Sequence, residues 1–240
     1  MSGLRLVSNK FIPVTSWDHD FVVVNSRLVD DIPLPCLAAF DLLNPLDNSG
    51  HGWKVTIGGG IIKKYGLGFS RVGGGAGTDF IANKESISVV CAVKPNSFDA
   101  FSTFIDSRTI NNGASSGFAV DFSNATQKMR LNLIYPSGVT EAVQFPTFVM
   151  GEWNIFCFTL SPRSVRGENH LGEIITKEFS TPVNVGFWSI PLKLGTSVTN
   201  GTCDGDVGFV AIYDGYMTPE QRKNSVSVAK DIISKRNNEY

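Results

Sequence analysis

Two tryptophans stand beside turns: Trp53, after His51-Gly52, and Trp188, in Gly186-Phe187-Trp188-Ser189. An indole face left open there would pack against the apolar C–H face of a sugar, while carboxylate, amide and guanidinium groups bind the hydroxyls. Asp106 and Arg108 in the IDSR segment, with Asn111 and Asn112 just after it, place such polar groups on one adjacent loop. These six residues form the candidate ligand-binding set, and the chemistry they offer is adsorption without bond cleavage. The competing reading for each indole is core packing, the commoner fate of an aromatic ring in a β protein. Trp153, at the head of an apolar run, is read as core outright.

Bond-breaking constellations are weaker. Glu168 and Glu173 are the nearest close pair of acids, but they lie in the polar stretch RGENHLGE, which reads as a loop or hairpin. His19, His51 and His170 fall in three separate segments without metal-ligand spacing. Ser49 and Ser116 lack the strand-to-helix elbow that activates a serine. The Gly58–Gly60 and Gly73–Gly75 runs are followed by no phosphate-loop lysine and no helix, so they are read as tight turns or bulges. Cys36, Cys91, Cys157 and Cys203 form no CxxC pair and are expected as reduced thiols in the core. No catalytic residue is assigned.

The elements that must position these residues are mostly strands. Segments 87–93 (ISVVCAV), 118–122 (FAVDF), 129–135 (MRLNLIY), 153–160 (WNIFCFTL) and 207–213 (VGFVAIY) are rich in β-branched and aromatic residues. In 129–135, Met129, Leu131, Leu133 and Tyr135 alternate with Arg130 and Asn132, giving one apolar and one wet side. Segment 153–160 is apolar on both sides and is expected in mid-sheet, covered above and below. Turn clusters such as NNGASSG and TNGTCDG separate the strands, which argues for an all-β, two-sheet antiparallel jelly-roll sandwich.

One helix is predicted, over 218–236. Thr218 and Gln221 form a capping box, Pro219 takes the first helical position, and Val226, Ala229, Ile232 and Ile233 recur at helical spacing. Residues 1–34 contain three strand-like pieces, LRLV, FIPVTSW and FVVVNSRLV, ahead of the Pro-rich IPLP boundary. They are read as an N-terminal β arm or small β layer that packs on the main domain, 35–240, or on another subunit. With 21 Lys plus Arg against 22 Asp plus Glu, the formal charge is −1, and nucleic acid is not expected as a partner. Neither a secretory signal nor a membrane span is recognisable, so the expectation is a chain made in the cytoplasm without membrane insertion.

Several pieces carry a resemblance in a consistent order: Asp47-x-Ser49-Gly50-x-Gly52, Gly151-Glu152-Trp153-Asn154, Pro191-Leu192-Lys193-Leu194-Gly195, and Gly205 through Val210-x-Ile212-Tyr213 into Met217-Thr218-Pro219-Glu220. Over roughly residues 36–235 the chain resembles the laminin G-like, concanavalin A-like lectin/glucanase superfamily. That resemblance implies a concanavalin A-like jelly roll that binds glycan on a sheet face or its edge loops. It also implies a structural calcium held by Asp47 and an acid at a position where this chain has Gly208; Asp204 and Asp206 are the available substitutes, and simple turn formation is their competing reading. The acidic triplet of the superfamily's hydrolases, Glu-x-Asp-x-Glu, does not occur in the chain. No cofactor is expected.

The expected function is therefore a non-catalytic, lectin-like module. A lectin-like fold without a recognisable export signal suggests a virion protein, such as a bacteriophage tail, fibre or capsid-surface protein contacting host-surface glycan. In that reading residues 1–34 bind other virion proteins or sister subunits in a homo-oligomer. The alternatives are a purely structural virion decoration protein, or a polysaccharide hydrolase using Glu168 and Glu173.

Overall fold

The computed structural model describes residues 27–43, 46–97, 102–108, 117–134, 140–180, 182, 190–197 and 203–238. Among them, strands follow one another in the order β1 (Cys36–Phe40), β2 (Val55–Ile57), β3 (Ile61–Lys63), β4 (Gly66–Phe69), β5 (Ala76–Thr78), β6 (Ile87–Pro95), β7 (Ser102–Asp106) and β8 (Phe118–Ser123). The order continues through β9 (Lys128–Ile134), β10 (Thr140–Gln144), β11 (Asn154–Ser161), β12 (Ser164–Asn169), β13 (Ile174–Glu178), β14 (Lys193–Leu194) and β15 (Gly205–Asp214). A four-residue helical turn, α1 (Arg27–Asp30), precedes them and a long helix, α2 (Pro219–Asn238), follows. The strands form two antiparallel sheets. One has eight strands in the order β13-β12-β11-β6-β15-β4-β3, with β1 also beside β15; the other has seven in the order β10-β9-β8-β7-β14-β5-β2.

The predicted two-sheet sandwich is thus the observed fold, and strand alternation explains it. On β9, Met129, Leu131 and Leu133 turn inward and are buried, while Arg130 and Asn132 point away from them. Facing side chains from the eight-stranded sheet, including Val89, Phe156, Phe158 and Val210, complete the layer between the sheets. Phe145 packs at 4.9 Å from Phe156 and 5.6 Å from Phe158, measured between ring centroids. β11 lies between β12 and β6 and is covered on both faces: Phe156, Phe158 and Leu160 enter the inter-sheet core, Ile155 and Cys157 a second core outside the sheet.

That second core is covered by α2. The Gln221 N–H donates to the Thr218 hydroxyl at 3.2 Å and the Thr218 N–H to the Gln221 side-chain oxygen at 2.8 Å, the reciprocal capping box the sequence predicts. Val226, Ala229, Ile232 and Ile233 then bury against Val90, Ala92, Ala211 and Tyr213. Near its far end, Arg236 is buried and paired with Asp41, and it donates to the carbonyls of Tyr65 and Gly208, each at 2.9 Å. The closing of α2 over the sheet thus buries a cation in its last turn.

One further expectation is corrected. The end of the third strand-like piece is helical: the Asp31 N–H donates to the Arg27 carbonyl, the two side chains pair at 2.9 Å, and Leu28 is fully buried in the second core. The Tyr213 hydroxyl donates to the Leu28 carbonyl, so residues 27–34, counted with the arm, are built into the body. The remainder of the arm, 1–26, lies outside the described residues. The two glycine runs lie in the connections β2–β3 and β4–β5, which touch: Gly58 and Gly59 N–H groups both donate to the Gly75 carbonyl, and a Cβ on Gly59 would overlap the Gly73 carbonyl. Only glycine permits two loops to cross that closely.

Candidate functional site

The outward face of the seven-stranded sheet carries charge where alternation alone would allow any residue. A bulge in the β7–β8 pairing shifts register between Thr103 and Ile105, so Phe104 and Ile105 both enter the core while Thr103 and Asp106 both face outward. Cross-strand register then assembles two rows. Gln144, Arg130, Asp121 and Thr103 lie side by side on β10, β9, β8 and β7. Ala142, Asn132, Ala119, Asp106, Lys193, Gly77 and Thr56 form the adjacent row, which runs across the whole sheet from β10 to β2.

The centre of this face is tightly paired. Arg108 holds Asp106 with two donors, Nε to Oδ1 at 2.9 Å and Nη2 to Oδ2 at 3.0 Å, and its own N–H reaches Oδ1 at 2.9 Å. Asp121 accepts from Arg130 Nε at 2.8 Å and from the Asn132 amide. Both carboxylates are fully buried. Burial pushes the Asp121 carboxyl up to about 6, against the opposing pull of Arg130, Arg108 and Asn132. The Thr103 hydroxyl, also buried, has no hydrogen-bond partner among the described residues. At the flanks the face opens: Arg130, Gln144, Lys193 and Gly77 are half-buried and Thr56 is exposed.

Of the six predicted ligand-binding residues, Asp106 and Arg108 belong to this face, at and just beyond the end of a strand rather than on a free loop. Trp53 is half-buried elsewhere. Its indole N–H donates to the Leu37 carbonyl at 2.9 Å and its ring packs edge-on to Phe80 at 5.4 Å, which anchors the loop before β2. Trp188, Asn111 and Asn112 lie outside the described residues. Asp121, Lys193 and Thr103 were not singled out by sequence reasoning. The signal was available for Asp121, an acid inside the alternating run FAVDF, and for Arg130 and Asn132, already read as the wet side of β9.

The residues considered for calcium are otherwise engaged. The Asp47 carboxylate accepts from the N–H groups of Ala39 at 2.9 Å and Ser49 at 3.0 Å, from the Ser49 hydroxyl at 2.6 Å, and from the Gly52 N–H at 3.2 Å. Such a ring of donors folds a loop and repels a cation. Asp206 pairs with Lys63 at 2.6 Å, and Asp204 is half-buried with its carbonyl accepting from the Asn96 N–H. At Gly208 a Cβ would stand 2.9 Å from Ile233 and 3.1 Å from the Trp153 ring, so the acid of the resembled family has no room under α2. Among the described residues no cluster of three His, Cys, Asp or Glu side chains is placed to hold a metal.

Glu168 is buried on β12 opposite Cys157, on the side that α2 covers, whereas Glu173 accepts from the Asn169 amide at 2.8 Å and the Thr147 N–H at 3.2 Å and so fixes the β12–β13 turn. RGENHLGE is therefore a hairpin. Described cysteines are free, and burial raises the Cys36 thiol to about 12 and the other three further. Among the described residues no helix is long and apolar enough to cross a membrane.

Comparison with known proteins returns the fold. No family model and no curated protein sequence matches the chain. Among solved structures it is similar to the ligand-binding domain of botulinum neurotoxin serotype D in complex with N-acetylneuraminic acid, with TM-score 0.62 and 13% identity over 84% of this chain and 52% of that one. It is similar to a sialidase of Trypanosoma rangeli, with TM-score 0.62 and 11% identity over 83% of this chain and 33% of the sialidase. It also resembles domain 4 of an extracellular GH43 arabinanase from Geobacillus stearothermophilus in complex with arabinotriose, with TM-score 0.56 and 18% identity over 82% of this chain and 98% of that domain. The chain spans about half the length of the toxin domain and a third of the sialidase, but nearly all of the arabinanase domain.

Proposed function

We propose that the chain is a non-catalytic saccharide-binding module. The observation that carries this reading is the outward face of the seven-stranded sheet, where the guanidinium of Arg130, the amide of Gln144, the ammonium of Lys193 and the hydroxyl of Thr56 reach solvent at the flanks of a buried, ion-paired centre. Those groups are the ones that bind sugar hydroxyls, and a rigid sheet holds them with little ordering cost. A domain of this fold and nearly this extent carries arabinotriose in the arabinanase, which supports the same use here. Asp106 and Asp121 are each neutralised by an arginine and buried, and Glu168 and Glu173 have separate structural places, so none of these four offers an open acid-and-nucleophile pair.

The finer reading places the module on a virus particle, as a bacteriophage tail, fibre or capsid-surface protein contacting host-surface glycan, with residues 1–34 joining it to other virion proteins or to sister subunits. A glycan array at high protein concentration, paired with a reducing-end assay on host-surface polysaccharide, tests the module. Binding without cleavage is the expected result; silence on the array overturns binding, and released reducing ends overturn the non-catalytic assignment. Oligomeric state with and without residues 1–26, a deletion that spares the core residues Leu28 and Ile32, tests the arm, which is expected to be needed for assembly.

A further inference from the structure

The charge on the proposed binding face differs from that of the whole chain. The formal charge of the protein is −1. Yet the outward positions of β7, β8, β9 and β14, with the residues just after β7, place four cations, Arg108, Lys128, Arg130 and Lys193, against two carboxylates, Asp106 and Asp121. Asp106 and Asp121 are satisfied by Arg108 and Arg130, leaving Lys193 and Lys128 in excess at opposite flanks. β10 adds only Ala142 and Gln144 to the outward face beside Asn132 and Arg130.

Lys193 has the more distinctive surroundings. It stands in register between Asp106 on one side and Gly77 on the other, with Thr56 beyond Gly77. Leu194 next to it is in the core, so Lys193 points outward. At half-buried Gly77 a Cβ would meet no atom within 4 Å, so there is room beside the backbone there. A half-buried ammonium, an exposed threonine hydroxyl and a stretch of backbone with room beside it thus border one shallow seat, and the Arg108–Asp106 pair closes its inner end. On that inner side the buried Thr103 hydroxyl is left without a partner among the described residues.

We propose that this seat takes the carboxylate of an acidic saccharide, with Lys193 as the charge partner and Thr56 as a hydroxyl contact. The proposal rests on the saccharide-binding reading and narrows it to one substrate class. A net positive face on a nearly neutral protein selects anions over neutral sugars, and the selection weakens as salt screens it. The groups facing Asp121 are Arg130 and Lys128 from β9 and Arg108 and Asp106 from β7. Protonating Asp121 removes one of the two negative charges, while a sugar carboxylate, like an α-carboxyl group, stays ionised down to about pH 4. Affinity therefore rises as pH falls through the Asp121 midpoint.

Calorimetric titration of the full chain with matched pairs tests this: sialyllactose against lactose, and a galacturonate trisaccharide against arabinotriose, at low and high salt. The expected result is that the acidic member of at least one pair binds about tenfold more tightly. That preference should shrink in salt, fall in Lys193→Ala, return in Lys193→Arg, and increase about two- to fivefold below pH 6. An unchanged unfolding midpoint in Lys193→Ala confirms that folding is not what was lost. Equal binding of neutral and acidic members, indifferent to Lys193→Ala, overturns the acidic class while leaving saccharide binding in place. Inorganic sulfate competing as strongly as sialyllactose also overturns it. Binding of no saccharide on the array or in the calorimeter overturns both.

Discussion

The sandwich has two outer faces, and they are finished in opposite ways. Outside the eight-stranded sheet, β6, β11 and β15 present Val90, Ala92, Ile155, Cys157, Phe209 and Ala211, a dry surface that α2 and the α1 segment cover. Outside the seven-stranded sheet, the equivalent alternate positions are Asp106, Asp121, Arg130, Asn132 and Lys193. Inner faces of both sheets are alike, since both must fill one layer with Phe, Leu, Ile and Val. An outer face has no such obligation. The first is spent on stability, and the second carries paired charges at its centre and open polar groups at its flanks.

The contrast can be broken most forcefully at Arg236, the ion that pins α2 down. Arg236→Ala leaves the buried Asp41 without its cation and removes two carbonyl contacts, and should cost about 3–5 kcal/mol in urea unfolding. A loss under about 1 kcal/mol would show that α2 is not locked by this pair. Ile232→Ala, in the second core, should cost about 2–4 kcal/mol by the same measurement. Neither change should alter saccharide binding at temperatures where the protein stays folded.

On the polar face the expected effects are smaller and depend on pH. Asp121 binds its proton more tightly when folded than when unfolded, because burial raises its midpoint to about 6 from the ordinary carboxylate value. Its contribution to stability is therefore fully present below about pH 4 and is lost as pH rises through about 6, with a span of roughly 1–3 kcal/mol. Carbon-detected NMR of the Asp121 carboxyl should show that midpoint, and Asp121→Asn should flatten the stability profile in the same window. A midpoint near 4 would mean that Arg130, Arg108 and Asn132 fully offset burial. Thr218→Ala removes the hydroxyl that caps α2 and should cost about 1 kcal/mol, restored by Thr218→Ser. Lys193→Ala, exposed in part and outside both cores, should change stability by less than about 0.5 kcal/mol while weakening ligand.

Legibility in the sequence followed the range of the interaction. The alternation in MRLNLIY named the inner and outer sides of β9 correctly, and the double-sided apolar run over 153–160 foretold a central strand covered twice. Thr218 and Gln221 announced the start of α2 because both members of the capping box lie within one turn. Asp106 and Arg108, two residues apart, could be linked to each other, yet their place on a sheet face depended on the bulge at Thr103–Ile105, which no local pattern marks. Trp53 read as a platform because it follows a turn, while the Leu37 carbonyl and the Phe80 ring that hold it come from distant segments.

What the amino-acid order determined by itself was five of the strands, the apolar side of β9, the double burial of β11, and the capped amphipathic helix at the end, because period and capping are settled among residues a few positions apart. Tertiary structure decided which polar residues became partners. Asp121 meets Arg130 across a strand pair, Arg236 meets Asp41 across nearly the whole chain, and Lys193 comes to stand between Asp106 and Gly77. A charge has no periodicity that reveals its partner; its energy depends on distance and burial, and both exist only once the sheets have closed.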